Sequence, residues 1–190
     1  MSSTETSALH TFYEPPLVTA DLHSSSLVEE HSVVDLPSGR FDVKYWIFDG
    51  ILILYSNHHF NDHYHFEKKN SLDVVSLEFN LRGSYIIHHV GKVYRTKSPQ
   101  HNIIYSPGFH NTFQNGELKG ETIKVQFTLP VFQRIVTDSN DTLKRFAEQV
   151  MAGKPVVISQ NSLLIGPDLQ EVIYDILHCR YAGGLKNIFL

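Results

Sequence analysis

Hydrophobic and polar positions change their spacing twice along this chain. Residues 1–30 are rich in Ser and Thr and show no period, and Pro15-Pro16 excludes a regular element there, so a loosely ordered arm is expected. From about Val33 the pattern alternates. Phe41, Val43, Tyr45 and Ile47 fall on one face of a strand, with Asp42 and Lys44 on the other. Asp49-Gly50 then predicts a tight hairpin into "ILILYSNHH". In "DVVSLEFNL", Val75, Leu77, Phe79 and Leu81 share one face, and Ser76, Glu78 and Asn80 the other. Further short strands follow, punctuated by Arg82-Gly83, Gly91, Pro107-Gly108, Asn115-Gly116 and Gly120. Many short strands between regular turn signals predict a β-sandwich or barrel over residues 31–128.

After Thr128 the period becomes helical. Pro130 suits a first helical turn, with Leu129, Phe132, Ile135 and Val136 on one face. A second helix has Ser139, Asn140 and Asp141 as candidate caps. Its stripe is Leu143, Phe146, Ala147, Val150 and Met151, and Gly153 and Pro155 end it. A third carries Leu169, Val172, Ile173, Ile176 and Leu177 and is closed by Gly183-Gly184. Leu185, Ile188 and Phe189 in "LKNIFL" begin a fourth amphipathic helix that breaks off after two turns, too short to be stable alone. Residues 129–190 are therefore expected to be a helical segment cut inside its last helix, with a further domain beyond it.

Composition narrows the function classes. The formal charge is -4, which gives no electrostatic footprint for nucleic acid. The single cysteine, Cys179, permits no internal disulfide and fits a reducing compartment. The start lacks a basic n-region and a long apolar run, and "GILILY" is far too short to span a bilayer. A cytoplasmic protein without membrane contact is expected.

One window draws attention chemically. "YSNHHFNDHYHFEKKN" holds His58, His59, His63 and His65, a third of the chain's 12 histidines. Were residues 57–67 one strand, His59, His63, His65 and Glu67 would share a face, and two histidines two apart can ligate one metal ion. A distant strand would have to complete the site. His110 is the first candidate, with His88, His89 and His101 behind it. Asn57, Asn61, Asp62, Lys68 and Asn70 are turn chemistry instead, and favour a polar strand end at a barrel rim. No Gly-x-Ser-x-Gly, Gly-rich phosphate loop or Cys-x-x-Cys is present, and neither an enzyme nor a bound cofactor is expected.

Several strings resemble the sensor half of AraC-family transcription regulators: "VVSLEFNLRGSYIIHH", "QHNIIYSPGFHNTF", "DSNDTLKRFAEQVMAGKP" and "ILHCRYAGGLKNIFL", together covering roughly residues 70–190. The resemblance implies a cupin-like β-barrel (jelly roll) followed by a helical dimerisation segment. It also implies a small-molecule effector, a homodimer through the C-terminal helices, and DNA contact only through a C-terminal domain absent from this chain. Candidate ligand-binding residues are Trp46, Glu78, Tyr105 and His110. Enzymatic cupins carry His-x-His, a downstream Glu and a later His. Here His63-x-His65 is present, but Glu67 follows too soon and the Pro107–His110 turn is compressed. A metalloprotein using His63, His65 and His110 is therefore the alternative.

Overall fold

The computed structural model describes Leu22 and residues 24–69, 73–89, 91–108 and 110–190. Ten strands come first: β1 (Val28–Leu36), β2 (Gly39–Phe48), β3 (Ile51–Phe60), β4 (His65–Lys69), β5 (Val74–Arg82), β6 (Ser84–His89), β7 (Lys92–Lys97), β8 (Gln100–Tyr105), β9 (His110–Asn115) and β10 (Lys119–Thr128). Then come α1 (Leu129–Val136), α2 (Asp141–Met151), the two-residue strands β11 (Val156–Val157) and β12 (Leu163–Leu164), α3 (Pro167–Leu177) and α4 (Gly183–Phe189).

Strands β3 to β10 pair in nested order, all antiparallel: β6 with β7, β5 with β8, β4 with β9 and β3 with β10. One long hairpin is thus folded over on itself, which deals its strands alternately into two sheets. The sheets run β3-β10-β5-β8 and β4-β9-β6-β7, the order of a jelly roll. β1 and β2 extend the first sheet beyond β3, and β11 and β12 both pair with β8 at its other side. The fold is mainly β, a cupin-like jelly roll with helices at the C-terminus. Within the segment read as an arm, Leu22 is buried in the core and β1 starts at Val28.

The turn chemistry accounts for the register. Asp49 and Gly50 both have positive φ (45° and 80°), the geometry of a two-residue hairpin turn between β2 and β3. Thr128 Oγ1 lies where a side chain at position 50 would go, so glycine is needed there for space as well as conformation.

Both faces of the larger sheet are covered. On its outer face Trp46, Phe48, Ile53, Phe79 and Ile123 pack with Ile165 and Ile173, flanked by Leu169, Ile176 and Leu177 of α3. Beside them Val75 and Tyr105 pack with Phe132 and Val136 of α1 and Phe146, Ala147 and Val150 of α2. The aliphatic stripe of β5 therefore faces the helices, not the barrel interior.

Three stripe positions of α1 to α3 differ from expectation. Ile135, Met151 and Val172 are exposed (49%, 41% and 54%), and Val131 takes the buried place on α1. A helix laid on a sheet buries only the side that faces it, so the flank of a wide sequence stripe remains in solvent. Asn140 caps α2: its Oδ1 accepts from Leu143 N at 3.0 Å. Asn140→Ala is expected to lower stability by about 1 kcal/mol, read as a fall in the urea midpoint with an unchanged slope.

The end of the chain departs further from the sequence reading. α3 stops at Leu177, and Gly183 (φ 55°) opens α4 rather than closing α3. Leu185, Ile188 and Phe189 do not form a buried face; all three are exposed. Lys186 is the residue turned inward, with Nζ 2.6 Å from Glu29 Oε1 and 5.5 Å from the Trp46 ring centre. α3 already fills the apolar surface beside Trp46. What remains at the sheet edge is a carboxylate and an indole face, which suits an ammonium. The hydrogen bond from Lys186 holds the Glu29 carboxyl below its ordinary pKa.

Candidate functional site

On β5 and β10 the inner face of the larger sheet carries the polar half of the alternation. Val74, Ser76, Glu78 and Asn80 of β5 point into the roll, as do Thr122, Lys124 and Gln126 of β10, because successive side chains on a strand take opposite faces. Register then aligns three polar residues across three adjacent strands. Lys124 is paired with Glu78, and Glu78 with Asn102. Lys124 Nζ lies 2.7 Å from Glu78 Oε1. Gln126 Nε2 donates to Ser76 Oγ at 2.9 Å one step along.

These groups border a cavity of about 160 Å³ between the two sheets. Glu78, Lys124, Asn80, Asn102 and Thr122 form its polar side. Phe41, Val43, Leu54 and Phe60 from β2 and β3, with Ile87 and Phe113 from the smaller sheet, form its apolar side. An engineered apolar cavity of about 150 Å³ takes up benzene, so this space suits a molecule with one ring.

At one end of the cavity His58 is buried and its Nε2 is hydrogen-bonded to the Tyr85 hydroxyl. Its Nδ1 lies 3.5 Å from Ser56 Oγ. Burial pulls His58 down to about 4, so the ring is neutral at pH 7, and burial pushes the Tyr85 hydroxyl up. The neutral ring has one donor and one acceptor nitrogen, and these face the Tyr85 and Ser56 hydroxyls, each of which can donate or accept. Gly120 makes this pair possible: a Cβ there would overlap both the Tyr85 hydroxyl and the His58 imidazole.

Of the four residues singled out from sequence, Glu78 is on the cavity wall. Trp46 and Tyr105 sit on the outer face of the same sheet, beneath the helices, and line no part of the cavity. Tyr105 donates to Asp73 Oδ1 at 2.8 Å, and burial raises its hydroxyl to about 12. His110 opens β9, and its side chain lies outside the described residues.

The histidine window is not one strand. β3 ends at Phe60, residues 61–64 cross between the sheets, and β4 begins at His65. Asp62 Oδ1 accepts from His63 N at 2.7 Å and Asn115 Oδ1 from Tyr64 N at 2.6 Å, which fixes the crossing. His58 turns inward, His59 is exposed, and His63 Nδ1 lies 3.2 Å from the Asn115 carbonyl. Among the described residues no three His, Cys, Asp or Glu side chains are placed to hold a metal ion. The side chains of Glu67 and His110 lie outside that set.

Sequence reasoning missed Lys124, Asn80, His58 and Tyr85. A signal for the first did exist. "VSLEFNL" and "ETIKVQF" each alternate polar and apolar residues, with opposite charges at mid-strand. That pattern fits two strands whose polar faces meet.

No family model matches the chain, and no curated protein matches it. Solved structures do resemble it in part. An AraC-like transcriptional activator, CuxR, aligns over 83% of this chain and 51% of its own, at 11% identity and TM-score 0.45. An HTH_3 family transcriptional regulator from Vibrio cholerae aligns over 46% of this chain and 50% of its own, at 11% identity and TM-score 0.37. The cupin domain of Cnp3 from Schizosaccharomyces pombe aligns over 58% of this chain and 96% of its own, at 11% identity and TM-score 0.39. The chain spans about half the length of both regulators. Likenesses this distant assign no activity, and the cupin-like fold stands on the nested strand pairing itself.

Proposed function

We propose that this chain is the effector-sensing part of a transcription regulator of AraC type and is not an enzyme. The observation that carries the reading is the cavity inside the roll, lined by both polar and apolar side chains. A roll filled by its own side chains would have removed the small-effector version. In this reading a small molecule enters the cavity, and the helices of the C-terminal segment pair two copies. Val172, Tyr174, Leu185 and Ile188 are exposed apolar or aromatic side chains on α3 and α4, which supports such a pairing. DNA would be contacted by a segment outside this chain. The effector controls the dimer only if it binds one arrangement of the two copies more tightly than the other.

The test is a thermal-unfolding screen of single-ring compounds against the wild-type chain and Ile104→Trp, since Ile104 lines the cavity. A ligand at a hundred times its Kd stabilises by about 2.7 kcal/mol. Hits are expected to raise the melting temperature of the wild type and to leave a folded Ile104→Trp unchanged. Equal stabilisation of both proteins would place binding elsewhere and end the cavity reading. Sedimentation with and without a hit then reads the dimer.

A further inference from the structure

Glu78 and Lys124 are the charged residues of the cavity wall among the described residues, and they are in mutual contact at 2.7 Å. His58, at one end of the same wall, is uncharged at neutral pH. The wall therefore carries one anion and one cation that cancel. Around them stand groups that offer both senses of hydrogen bond: the Thr96 and Thr122 hydroxyls and the Asn80 amide. Phe41, Phe60, Ile87 and Phe113 supply apolar surface to the rest of the lining.

These features select among ligands. A molecule with a net charge would lose its hydration on entering and meet a wall whose own charges are already matched. A second anion would compete with Glu78 for Lys124, and a second cation with Lys124 for Glu78. Burying an ion without a dedicated partner is costly. A neutral head that both donates and accepts loses less on leaving water and can bond to either member of the pair, or to a hydroxyl, without separating the charges. Taking the cavity as the effector site proposed above, we infer that it is built for an uncharged, single-ring molecule whose polar head both donates and accepts hydrogen bonds, such as a primary amide or an alcohol. Glu78 and Lys124 are then specificity-determining residues that exclude acids and amines of the same shape.

Three probes of nearly one shape test this: benzamide, benzoate and benzylamine, titrated by calorimetry at pH 7.5. The wild type is expected to bind benzamide at least about tenfold tighter than either ion. Glu78→Gln removes the carboxylate in contact with the Lys124 ammonium and should turn the preference towards benzoate by about tenfold. Lys124→Gln should do the same for benzylamine. The double variant is neutral again and should return to benzamide. It also keeps the test open if either single variant fails to fold.

Tighter wild-type binding of benzoate or benzylamine at the cavity would overturn the inference and leave the cavity reading intact. So would single variants with an unchanged order of preference. If the wider screen finds no compound that distinguishes wild type from Ile104→Trp, the cavity reading itself falls.

Discussion

Gly120→Ala is expected to destabilise the domain by about 3 kcal/mol, more than most single-methyl additions. The added Cβ would overlap both partners of the buried His58–Tyr85 hydrogen bond. Overpacking a tight site costs about 1–3 kcal/mol, and separating a buried polar pair a further 1–3. Neither ring can swing away easily. His58 stands among Phe41, Phe60 and Tyr85, with ring centres 4.9–6.2 Å apart. Urea unfolding gives the measurement, and a cycle with Tyr85→Phe identifies the cause. Without the hydroxyl one of the two overlaps disappears, so Gly120→Ala should cost less in the Tyr85→Phe background. Equal costs in both backgrounds would show that the glycine serves its strand and not the pair.

Stability should also fall by about 3 kcal/mol as the pH drops from about 6.5 to about 4, through His58 alone. Burial lowers the pKa of this ring in the folded chain, whereas the unfolded chain keeps the ordinary value. Between those values the unfolded state binds the proton and the folded state does not. The contribution is complete above the unfolded pKa and disappears as the pH falls to the folded one. His101, also held low by burial, acts in the same direction. Carboxylates titrate near the lower end of this range, so the informative quantity is a difference. His58→Gln should flatten the profile between pH 6.5 and 5 relative to wild type. Parallel profiles for the two proteins would refute the assignment.

Much of the barrel was legible because a strand's side chains alternate and its turns need particular residues. Asp49-Gly50, Gly91, Pro107-Gly108 and Asn115-Gly116 all fall at strand ends. Alternation separates two faces without saying which is inside. On β5 the usual rule of apolar inward and polar outward is reversed, because Val75 and Phe79 meet helices and Glu78 and Asn80 meet the cavity. That is why Trp46 and Tyr105, attractive as aromatic ligand contacts, proved to be anchors for the helices. α4 misled for a related reason. Its apolar spacing was read correctly, but the neighbouring surface was already taken by α3, and a lysine found the better partner. Helix periodicity reports which side chains group together, not what they face. The cavity wall was missed because its charges lie on strands far apart in sequence, and only register brings Lys124 opposite Glu78.

The nested pairing has a kinetic side. The turn that joins β6 to β7 is short, and each pair outward encloses a longer stretch of chain, so loop-closure entropy rises from β6–β7 to β3–β10. Contacts this distant in sequence put the domain among slow folders, on the scale of milliseconds to seconds. His58 lies on β3, and Gly120 and Lys124 on β10. The seat of the histidine pair therefore depends on the least local strand pairing in the roll, where Gly120 lies opposite His58, and the charged wall on the pairing of β10 with β5. A molecule bound in the cavity would bridge the strands whose meeting is entropically dearest, and so would act as a clasp against opening.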